Sequence, residues 1–296
     1  MIIDPDLTLY VNSYNRPNKQ ITLDNLPAEI AKNVNLVVRS SELKSYEKYM
    51  PKIETLWAID DHKIDSLAKT RQWTFDHCRT RYLMFLDDDL RFYHRANPED
   101  WHLTYMKELE DYTKMFQEMV HKARLEGAAH LSVSPREGNN RHPSGWNLNR
   151  RYMRLYMYDK QILLKEKIEI SRCTMMMDFD VALQLIRKGY PAYVDFTHAQ
   201  GHPESNSAGG CSNERNRDDR DGSRESNLLR SFHPDYVKVR SKTTLKAWGG
   251  GQRWDVTVSW NKAFKSSQVP CGGCGDMKSP RESCCEPISA RQLHPE

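Results

Sequence analysis

Three consecutive carboxylates, Asp87, Asp88 and Asp89, are the residues of this sequence most suited to chemistry. They follow an apolar run at residues 82–86, which predicts a buried strand. Carboxylates at the end of a buried strand repel one another unless a cation or solvent compensates their charge. In extended backbone the first and third side chains point to the same side, so Asp87 and Asp89 can bind one divalent ion through oxygen. A solvated acidic turn is the alternative.

A divalent ion at this position favours chemistry on a diphosphate. An ion of the Mg or Mn kind keeps open positions that diphosphate oxygens fill, and as a Lewis acid it stabilises a leaving diphosphate. This predicts a nucleotide-activated donor. The sequence contains neither a G-x-x-x-x-G-K-[ST] loop nor a G-x-G-x-x-G fingerprint, which disfavours a P-loop kinase and a dinucleotide dehydrogenase.

The triplet must be positioned by the predicted strands and helices, which alternate along the chain. A strand signal at residues 7–11 ends in a polar loop at 12–17. Further strand signals follow at 34–38, 55–59, 130–134 and 192–196. Helical signals lie at 64–78, 101–126 and 179–189. This alternation predicts an α/β fold with a mostly parallel central sheet flanked by helices.

The composition is that of a folded protein, and its charge does not identify a partner. The 296 residues carry 44 basic and 40 acidic side chains, a formal net charge of +4, and 38% are hydrophobic. No apolar run approaches the roughly 18 residues that cross a bilayer, and the first residues lack the basic and apolar regions of a signal peptide. We therefore expect no membrane partner and a cytoplasmic location.

The cysteines are seven in number and unevenly placed, which favours a reducing compartment over a disulfide framework. Four of them, Cys271, Cys274, Cys284 and Cys285, crowd the last tenth of the chain. The Cys271 to Cys274 spacing is that of a zinc knuckle, and the other two cysteines offer further ligands for a tetrahedral structural Zn site. The alternative is a tail with free thiols.

An ordered set of short motifs resembles the GT-A type glycosyltransferases. More narrowly, it resembles the phage DNA glycosyltransferases associated with TET/JBP-type dioxygenases, which add sugars to hydroxymethylated pyrimidines. The matching motifs are YNRP at 14–17, TRQW at 70–73, FLDDDLRF at 85–92, SPREGNNR at 134–141, MDFD at 177–180 and GGCS at 209–212. The resemblance implies a GT-A-like domain over 1–265, with a nucleotide-binding half at about 1–90 and an acceptor-binding half at 91–265. A Cys-rich tail follows at 266–296.

The resemblance also implies roles at the donor side. Asp87 and Asp89 would hold a Mn or Mg ion, and the donor would be a nucleotide-sugar such as a UDP-sugar. Arg71 would lie near its phosphates. The expected donor-binding residues are Asn12, Ser13, Tyr14, Arg16, Asp60, Asp61, Arg71 and Asp88.

A histidine completes the metal shell in many GT-A enzymes, and His233 is the candidate here, ahead of His198 and His202. Its position follows a polar, charged segment at 201–227 with hardly an apolar side chain, which predicts a mobile loop or lid. A histidine with a structural role is the alternative.

Asp178 is the candidate catalytic carboxylate. The family's acidic pair before a helix usually reads Glu-Asp, whereas this sequence has Met177 and Asp178. A carboxylate against a primary hydroxyl can act as general base for direct displacement at the sugar carbon. Capping of a helix that starts at Phe179 is the alternative role for Asp178.

The acceptor side is assigned to two polar segments. The guanidinium and amide groups after the strand at 130–134 suit phosphates and the polar edges of bases. Two arginines of the charged loop at 201–227 could contact a DNA backbone. A surface loop without a partner and a self-paired charged loop are the alternatives. The expected acceptor-binding residues are Arg136, Asn139, Asn140, Arg141, Gly209, Gly210, Arg215 and Arg217.

The sequence thus predicts an enzyme that transfers a sugar from a nucleotide-sugar to the hydroxymethyl group of 5-hydroxymethylcytosine or 5-hydroxymethyluracil in DNA. Residues 228–296 carry 11 basic and 6 acidic side chains, an excess of five positive charges that favours DNA weakly. Two alternatives stay open. One is a glycosyltransferase with a protein or glycan acceptor, and the other is a catalytically silent DNA-binding module, for which Met177 is the argument.

Overall fold

The computed structural model describes residues 2–97, 99, 101–202, 222–244, 251–270 and 277–278. Its centre is a ten-stranded sheet in the order β3-β2-β1-β4-β9-β7-β10-β5-β6, with β8 paired to β10. The strands are β1 (Leu7–Asn12), β2 (Val34–Arg39), β3 (Thr55–Ile59), β4 (Tyr82–Asp87), β5 (Arg91–His94), β6 (Thr104–Tyr105), β7 (His130–Pro135), β8 (Trp146–Leu148), β9 (Leu155–Asp159) and β10 (Tyr193–Gly201).

The helices are α1 (Ile21–Asn25), α2 (Ala28–Ala31), α3 (Leu43–Tyr46), α4 (Leu67–His77), α5 (Leu109–Glu126), α6 (Lys160–Lys165), α7 (Met177–Ile186), α8 (Ser223–Phe232) and α9 (Trp260–Lys265). Two core clusters cover the two faces of the sheet. One contains Phe116 and Met119 of α5, and the other contains Phe75 of α4 and Leu183 of α7. This is the predicted α/β fold, with helices on both faces of the sheet.

The first half of the sheet is parallel. β1 pairs with β2 and β4, and β2 pairs with β3, all in parallel. The register places Asn12 opposite Asp87. Because parallel strands end at one edge, the loop after β1 and the acidic triplet after β4 lie side by side there.

The second half brings further chain ends to the same edge. β9 pairs antiparallel with β4 and with β7, so β9 starts at the edge where β4 and β7 end. β10 runs parallel to β7 and also ends there. Asp87, the residues before Leu155, the residues after Pro135 and His202 therefore lie at one edge, although the sequence separates them widely.

Two helix boundaries differ from the expected ones for local reasons. The helix expected at 101–126 begins at Leu109, because Tyr105 pairs with Tyr93 as part of β6 and its ring lies 5.6 Å from the Tyr93 ring. The helix expected at 64–78 begins at Leu67, because Ser66 Oγ accepts a hydrogen bond from the Lys69 amide and so caps it.

The C-terminal part of the described chain packs over α7. Strands β11 (Val237–Thr244) and β12 (Gly251–Val258) form an antiparallel hairpin, and two short strands, β13 (Val269–Pro270) and β14 (Met277–Lys278), form another. The Trp260 ring of α9 lies 5.7 Å from the Phe179 ring of α7. None of the described helices is long and apolar enough to cross a membrane.

Candidate active site

Asp87, the last residue of β4, is held by an arginine from α4. Arg71 Nη2 forms an ion pair with Asp87 Oδ1, and Arg71 Nη1 donates to Tyr156 Oη at 2.6 Å. Arg71 is 4% exposed. Burial raises the pKa of Asp87, the Arg71 charge opposes this rise, and the Asp89 charge adds to it. The charge of Asp87 therefore depends on a neighbouring cation.

Asp88 and Asp89 share a second arginine, which comes from the loop after β1. Arg16 Nη1 lies 2.7 Å from Asp88 Oδ1 and 2.8 Å from Asp89 Oδ2. Ser13 Oγ donates to Asp88 Oδ2 at 2.6 Å. Burial raises the pKa of Asp88 to about 6, although Arg16 opposes the rise. Each carboxylate of the triplet thus has an arginine partner.

The loop after β1 is fixed by buried polar groups. Gln20 Nε2 donates to Ser13 Oγ at 2.7 Å, and Tyr46 Oη lies 2.9 Å from the same oxygen. The Arg16 amide donates to Tyr46 Oη at 3.1 Å. Asn15 turns the chain with φ +55°, a left-handed conformation that asparagine tolerates better than most residues. Arg16 is therefore presented by an ordered loop.

The other expected donor-binding residues line the parallel half of the same edge. Asn12 is buried and donates to Thr74 Oγ1 at 3.3 Å. The Tyr14 ring lies 3.7 Å from the Arg39 guanidinium. Aromatic and amide groups at this edge suit a nucleoside, because a base offers a π-face and polar edges.

Asp60 and Asp61 follow β3 and make mainly local contacts. Asp60 Oδ1 accepts the His62 amide at 3.0 Å. Asp61 accepts hydrogen bonds from Ser40 and Ser41, which lower its pKa to about 2. Asp61, which follows β3, thus contacts the segment after β2, and both of its carboxylate oxygens accept hydrogen bonds from that segment.

Several buried polar atoms of this region have no hydrogen-bond partner among the described residues. Such orphan atoms are uncommon in folded proteins and call for a ligand or water. They are Asn12 Oδ1, Arg16 Nε, Gln20 Oε1 and Arg71 Nε. Their concentration beside the acidic triplet marks this edge as a place built for a polar ligand.

The triplet also retains groups that fit a divalent ion. Among the described residues, Asp87 Oδ2 and Asp89 Oδ1 accept no hydrogen bond, because the arginines use the other oxygen of each carboxylate. Carboxylate oxygens are the ligands that Mg²⁺ and Mn²⁺ prefer, with water or phosphate completing the shell. The residues present therefore fit an ion of this kind.

Asp178 lies with Asp87 in the wall of one cavity of about 320 Å³, together with Arg71, Arg151 and Phe179. Helix α7 begins at Met177 and its N-cap is Met176, so Asp178 lies in the first turn, where the helix dipole favours a negative charge. Burial raises the pKa of Asp178, and Arg151 and Arg71 oppose the rise. The structure therefore brings together the expected catalytic carboxylate and the expected metal ligand.

His233 lies elsewhere and has other partners. Its Nε2 is 2.8 Å from Asp180 Oδ1, and its Nδ1 is 3.2 Å from Arg187 Nη1. His233 is 1% exposed, and Asp180 is also bound by Arg172. The expected role of His233 as a metal ligand conflicts with this geometry, because both ring nitrogens are already in use within a buried cluster on α7.

A second cavity of about 630 Å³ adjoins the first. Arg151, Met153 and Arg154 belong to the walls of both cavities. The second cavity is also lined by cationic or titratable side chains from three segments, namely Arg141, His142, Arg150 and His202, and by the carboxylate of Glu137. It follows that arginine dominates the charge of this wall.

Of the four expected acceptor-binding residues in the segment after β7, three are exposed and one is buried. Arg141 lines the second cavity, and Asn140 is its exposed neighbour in the sequence. Arg136 stacks on Tyr93, with 4.7 Å between its guanidinium and the ring. Asn139 is buried, with its amide bound to Arg95 Nε, Ser134 Oγ and the Phe196 carbonyl. The structure thus corrects the expectation for Asn139, which stabilises the loop from inside.

The remaining expected site residues lie outside the described residues. These are Gly209, Gly210, Arg215, Arg217, Cys271, Cys274, Cys284 and Cys285. Their predicted contacts with an acceptor or with zinc stay predictions.

Sequence reasoning missed the residues 149–154, which we call the arginine loop. Arg150, Arg151 and Arg154 of this loop all line the second cavity. The signal available in the sequence was three arginines within five positions between the two segments assigned to the acceptor. These three arginines follow no helix or strand periodicity, so the sequence gave no reason to place them near Asp178.

The comparison with protein families agrees with the motif resemblance. A family model described as TET-Associated Glycosyltransferase matches residues 7–209. The chain belongs to the TET-associated glycosyltransferase family, which confirms the family and the enzyme class expected from the motifs. A search of curated proteins found no match.

Two solved structures are similar to this chain at low sequence identity. S. aureus TarS 1-349 is 11% identical, with a TM-score of 0.46, over 66% of this chain and 60% of that one. The mannosyltransferase PcManGT from Pyrobaculum calidifontis, in complex with GDP-Man and Mn²⁺, is 13% identical, with a TM-score of 0.43, over 68% of this chain and 58% of that one. The chain thus spans about three fifths of each.

Proposed function

We propose that this glycosyltransferase transfers a sugar from a nucleotide-sugar to the hydroxymethyl group of a modified pyrimidine in DNA. The observation that supports it most is the pair of joined cavities. One contains Asp87 and Asp178, and the other is lined by arginine. A donor diphosphate suits the first cavity, and a negatively charged acceptor suits the second.

The donor side is assigned to the ends of β1 and β4. Arg71 carries a charge that its burial and the Asp87 pair keep fixed in place, so it can stabilise negative charge on a leaving diphosphate. Asn12 and Tyr14 would contact the nucleoside. A Mn or Mg ion held by Asp87 and Asp89 would supply Lewis-acid stabilisation of the diphosphate when bound.

Asp178 is assigned as the general base. In the proposed step Asp178 accepts the proton of the acceptor hydroxyl, whose oxygen forms a bond to the anomeric carbon of the sugar. The bond from that carbon to the diphosphate oxygen breaks, and the electron pair leaves with the nucleoside diphosphate. The raised pKa of Asp178 supports this role, because a more basic carboxylate takes a proton more readily.

The test is mass spectrometry of nucleosides from hydroxymethylated DNA incubated with a panel of nucleotide-sugars and Mn²⁺. We expect a hexose or pentose adduct on one hydroxymethylpyrimidine, lost on chelation and in Asp89→Ala. Transfer to an added oligosaccharide or peptide in place of DNA would replace the proposed acceptor. DNA binding without any release of nucleoside diphosphate would indicate a silent binding module.

A further inference from the structure

The second cavity is lined by four arginines for which the described residues provide no ion pair. Among the described residues, Arg141, Arg150, Arg151 and Arg154 form no ion pair within 4.0 Å, whereas Arg16 and Arg71 at the neighbouring triplet both do. Arg150 Nε is buried without a hydrogen-bond partner in the described part of the chain. Glu137 is the acidic side chain among the described residues of this wall, so the four guanidinium groups leave an excess of positive charge that a bound anion would balance.

Burial and neighbouring charges both act on two side chains of this wall. Burial lowers the pKa of Arg151, and the charges of Asp178 and Asp255 oppose this fall. Burial also lowers the pKa of His142, and the charges of Arg150, Arg141 and Arg95 lower it further. The shift of His142 therefore has a contribution from the positive charge around the cavity.

The arginine loop is held rigidly, so its side chains are presented in advance. Asn149 exchanges hydrogen bonds with Ala192 at 2.8 and 3.1 Å. Tyr152 is buried and its hydroxyl lies 2.9 Å from His130 Nδ1. The Asp87 amide donates to the Arg154 carbonyl at 2.9 Å. An ordered loop loses little conformational entropy when it binds a ligand.

The wall of the cavity also offers an apolar surface beside the arginines. The His142 and Phe196 rings form an edge contact with 4.7 Å between their centroids, and Met153 completes this side. A nucleotide has the matching chemistry, because its phosphate pairs with guanidinium groups and its base packs on rings. The cavity of about 630 Å³ lies within the range of ordinary ligand sites.

We propose that this cavity binds the phosphodiester backbone of the acceptor strand, with Arg141 and Arg150 pairing a phosphate and Arg151 and Arg154 directing the adjoining nucleotide toward Asp178. This inference rests on the proposed function for the identity of the strand. It adds the residues that hold the strand and the direction in which it enters. The donor diphosphate is the other source of phosphate for this cavity.

The test uses an unmodified oligonucleotide, so that binding is measured without transfer. In fluorescence anisotropy at several salt concentrations, we expect Arg141→Gln/Arg150→Gln to weaken DNA binding by about tenfold or more and to reduce the salt slope by up to about two phosphate contacts. The matched control is Arg79→Gln/Lys165→Gln, which removes two exposed cations from the opposite edge of the sheet. It should bind DNA as the parent does.

Titration calorimetry with the nucleoside diphosphate separates the possible failures. It should give the same affinity for the arginine double variant and the parent. A weakened diphosphate affinity with unchanged DNA affinity would assign the cavity to the donor and overturn the inference. Equal losses in the control and cavity variants would do the same, since they would reduce the effect to net charge.

The nucleoside analysis described under the proposed function tests the acceptor itself. Transfer to hydroxymethylated DNA with an unchanged KM for DNA in the Arg141 and Arg150 variant leaves the proposed function standing and removes the cavity from it. Binding that depends on the cavity, together with absent transfer, supports the cavity and contradicts the proposed function. Circular dichroism and a thermal melt on each variant establish that it is folded.

Discussion

The two cavities at the carboxyl edge of the sheet differ in how their charges are balanced. At the triplet, Arg16 and Arg71 pair with all three carboxylates. Around the second cavity, the arginines of the arginine loop form no ion pair with the described residues. A group whose partner belongs to the protein stabilises the fold, whereas a group whose partner must come from outside costs stability until a ligand binds. We call the paired arginines of the triplet positioning charges, and we call the arginines of the second cavity, which are proposed to pair with a ligand, binding charges.

The largest expected effect lies at the junction of the two cavities. Asp178→Asn keeps the size of the side chain and removes its basicity, so we expect sugar transfer to fall by about 10²–10⁴-fold. Binding of the nucleoside diphosphate should not change. Steady-state transfer to hydroxymethylated DNA and titration calorimetry measure the two. Transfer at the parental rate would leave Asp178 with a role in the first turn of α7 alone.

A pair of arginine substitutions tests the comparison directly. Arg16→Met leaves Asp88 buried without its cation, and breaking a buried pair costs about 3–5 kcal/mol of unfolding free energy. Arg150→Met removes a guanidinium without an ion-pair partner among the described residues, so we expect no loss of unfolding free energy. Urea denaturation compares the two. Similar losses in both variants would contradict the distinction between positioning and binding charges.

His130, which contacts Tyr152 of the arginine loop, is expected to make the stability of the protein sensitive to acid. Burial lowers the pKa of His130 from 6.5 to about 4. The unfolded chain therefore binds more protons than the folded one between these values, and stability falls as the pH falls from about 6.5 toward 4. The total loss is roughly 3 kcal/mol.

Urea denaturation at a series of pH values tests this dependence on His130. The neutral ring donates from Nε2 to the Tyr190 carbonyl and accepts from Tyr152 at Nδ1. A His130→Gln variant should lose this part of the pH dependence, whatever its absolute stability. Parallel stability profiles for the parent and this variant would show that other groups control the acid response.

The smallest effect separates two adjacent asparagines. Asn139→Ala removes the buried amide that Arg95 Nε, Ser134 Oγ and the Phe196 carbonyl contact, so we expect a loss of about 1–3 kcal/mol. Asn140→Ala, at an exposed position, is the matched control and should change stability by less than about 0.5 kcal/mol. Thermal melts distinguish them. Equal melting temperatures would return Asn139 to the acceptor surface.

The position of the acidic triplet, which belongs to the proposed donor side, could be predicted because its signals are local. An apolar strand followed directly by three carboxylates identifies the end of β4 without knowledge of the fold, and the helix of Arg71 has its own N-cap in Ser66. The partners of these groups could not be predicted in the same way. Arg16 lies 72 residues from Asp88 along the chain, and only the parallel register of β1 and β4 brings them together.

The second cavity, which is the proposed acceptor side, was less predictable because its residues have ordinary local patterns. An arginine in a polar loop suggests a solvated surface, and nothing near Arg150 shows that β9 starts beside the end of β4. Asn139 and His233 resembled ligands by residue type, yet tertiary contacts use their polar atoms inside the protein. Residue type predicts what a side chain can do, and packing decides whether it is free to do it.

Position 154 serves two requirements through two different parts of one residue. The backbone of Arg154 has φ +65°, which costs a residue other than glycine about 1–2 kcal/mol, and its carbonyl receives the Asp87 amide. Its side chain contributes charge to the second cavity. Glycine would meet the backbone requirement with less strain and could not supply the charge. The single substitution Arg154→Gly would therefore keep the turn and remove the cation.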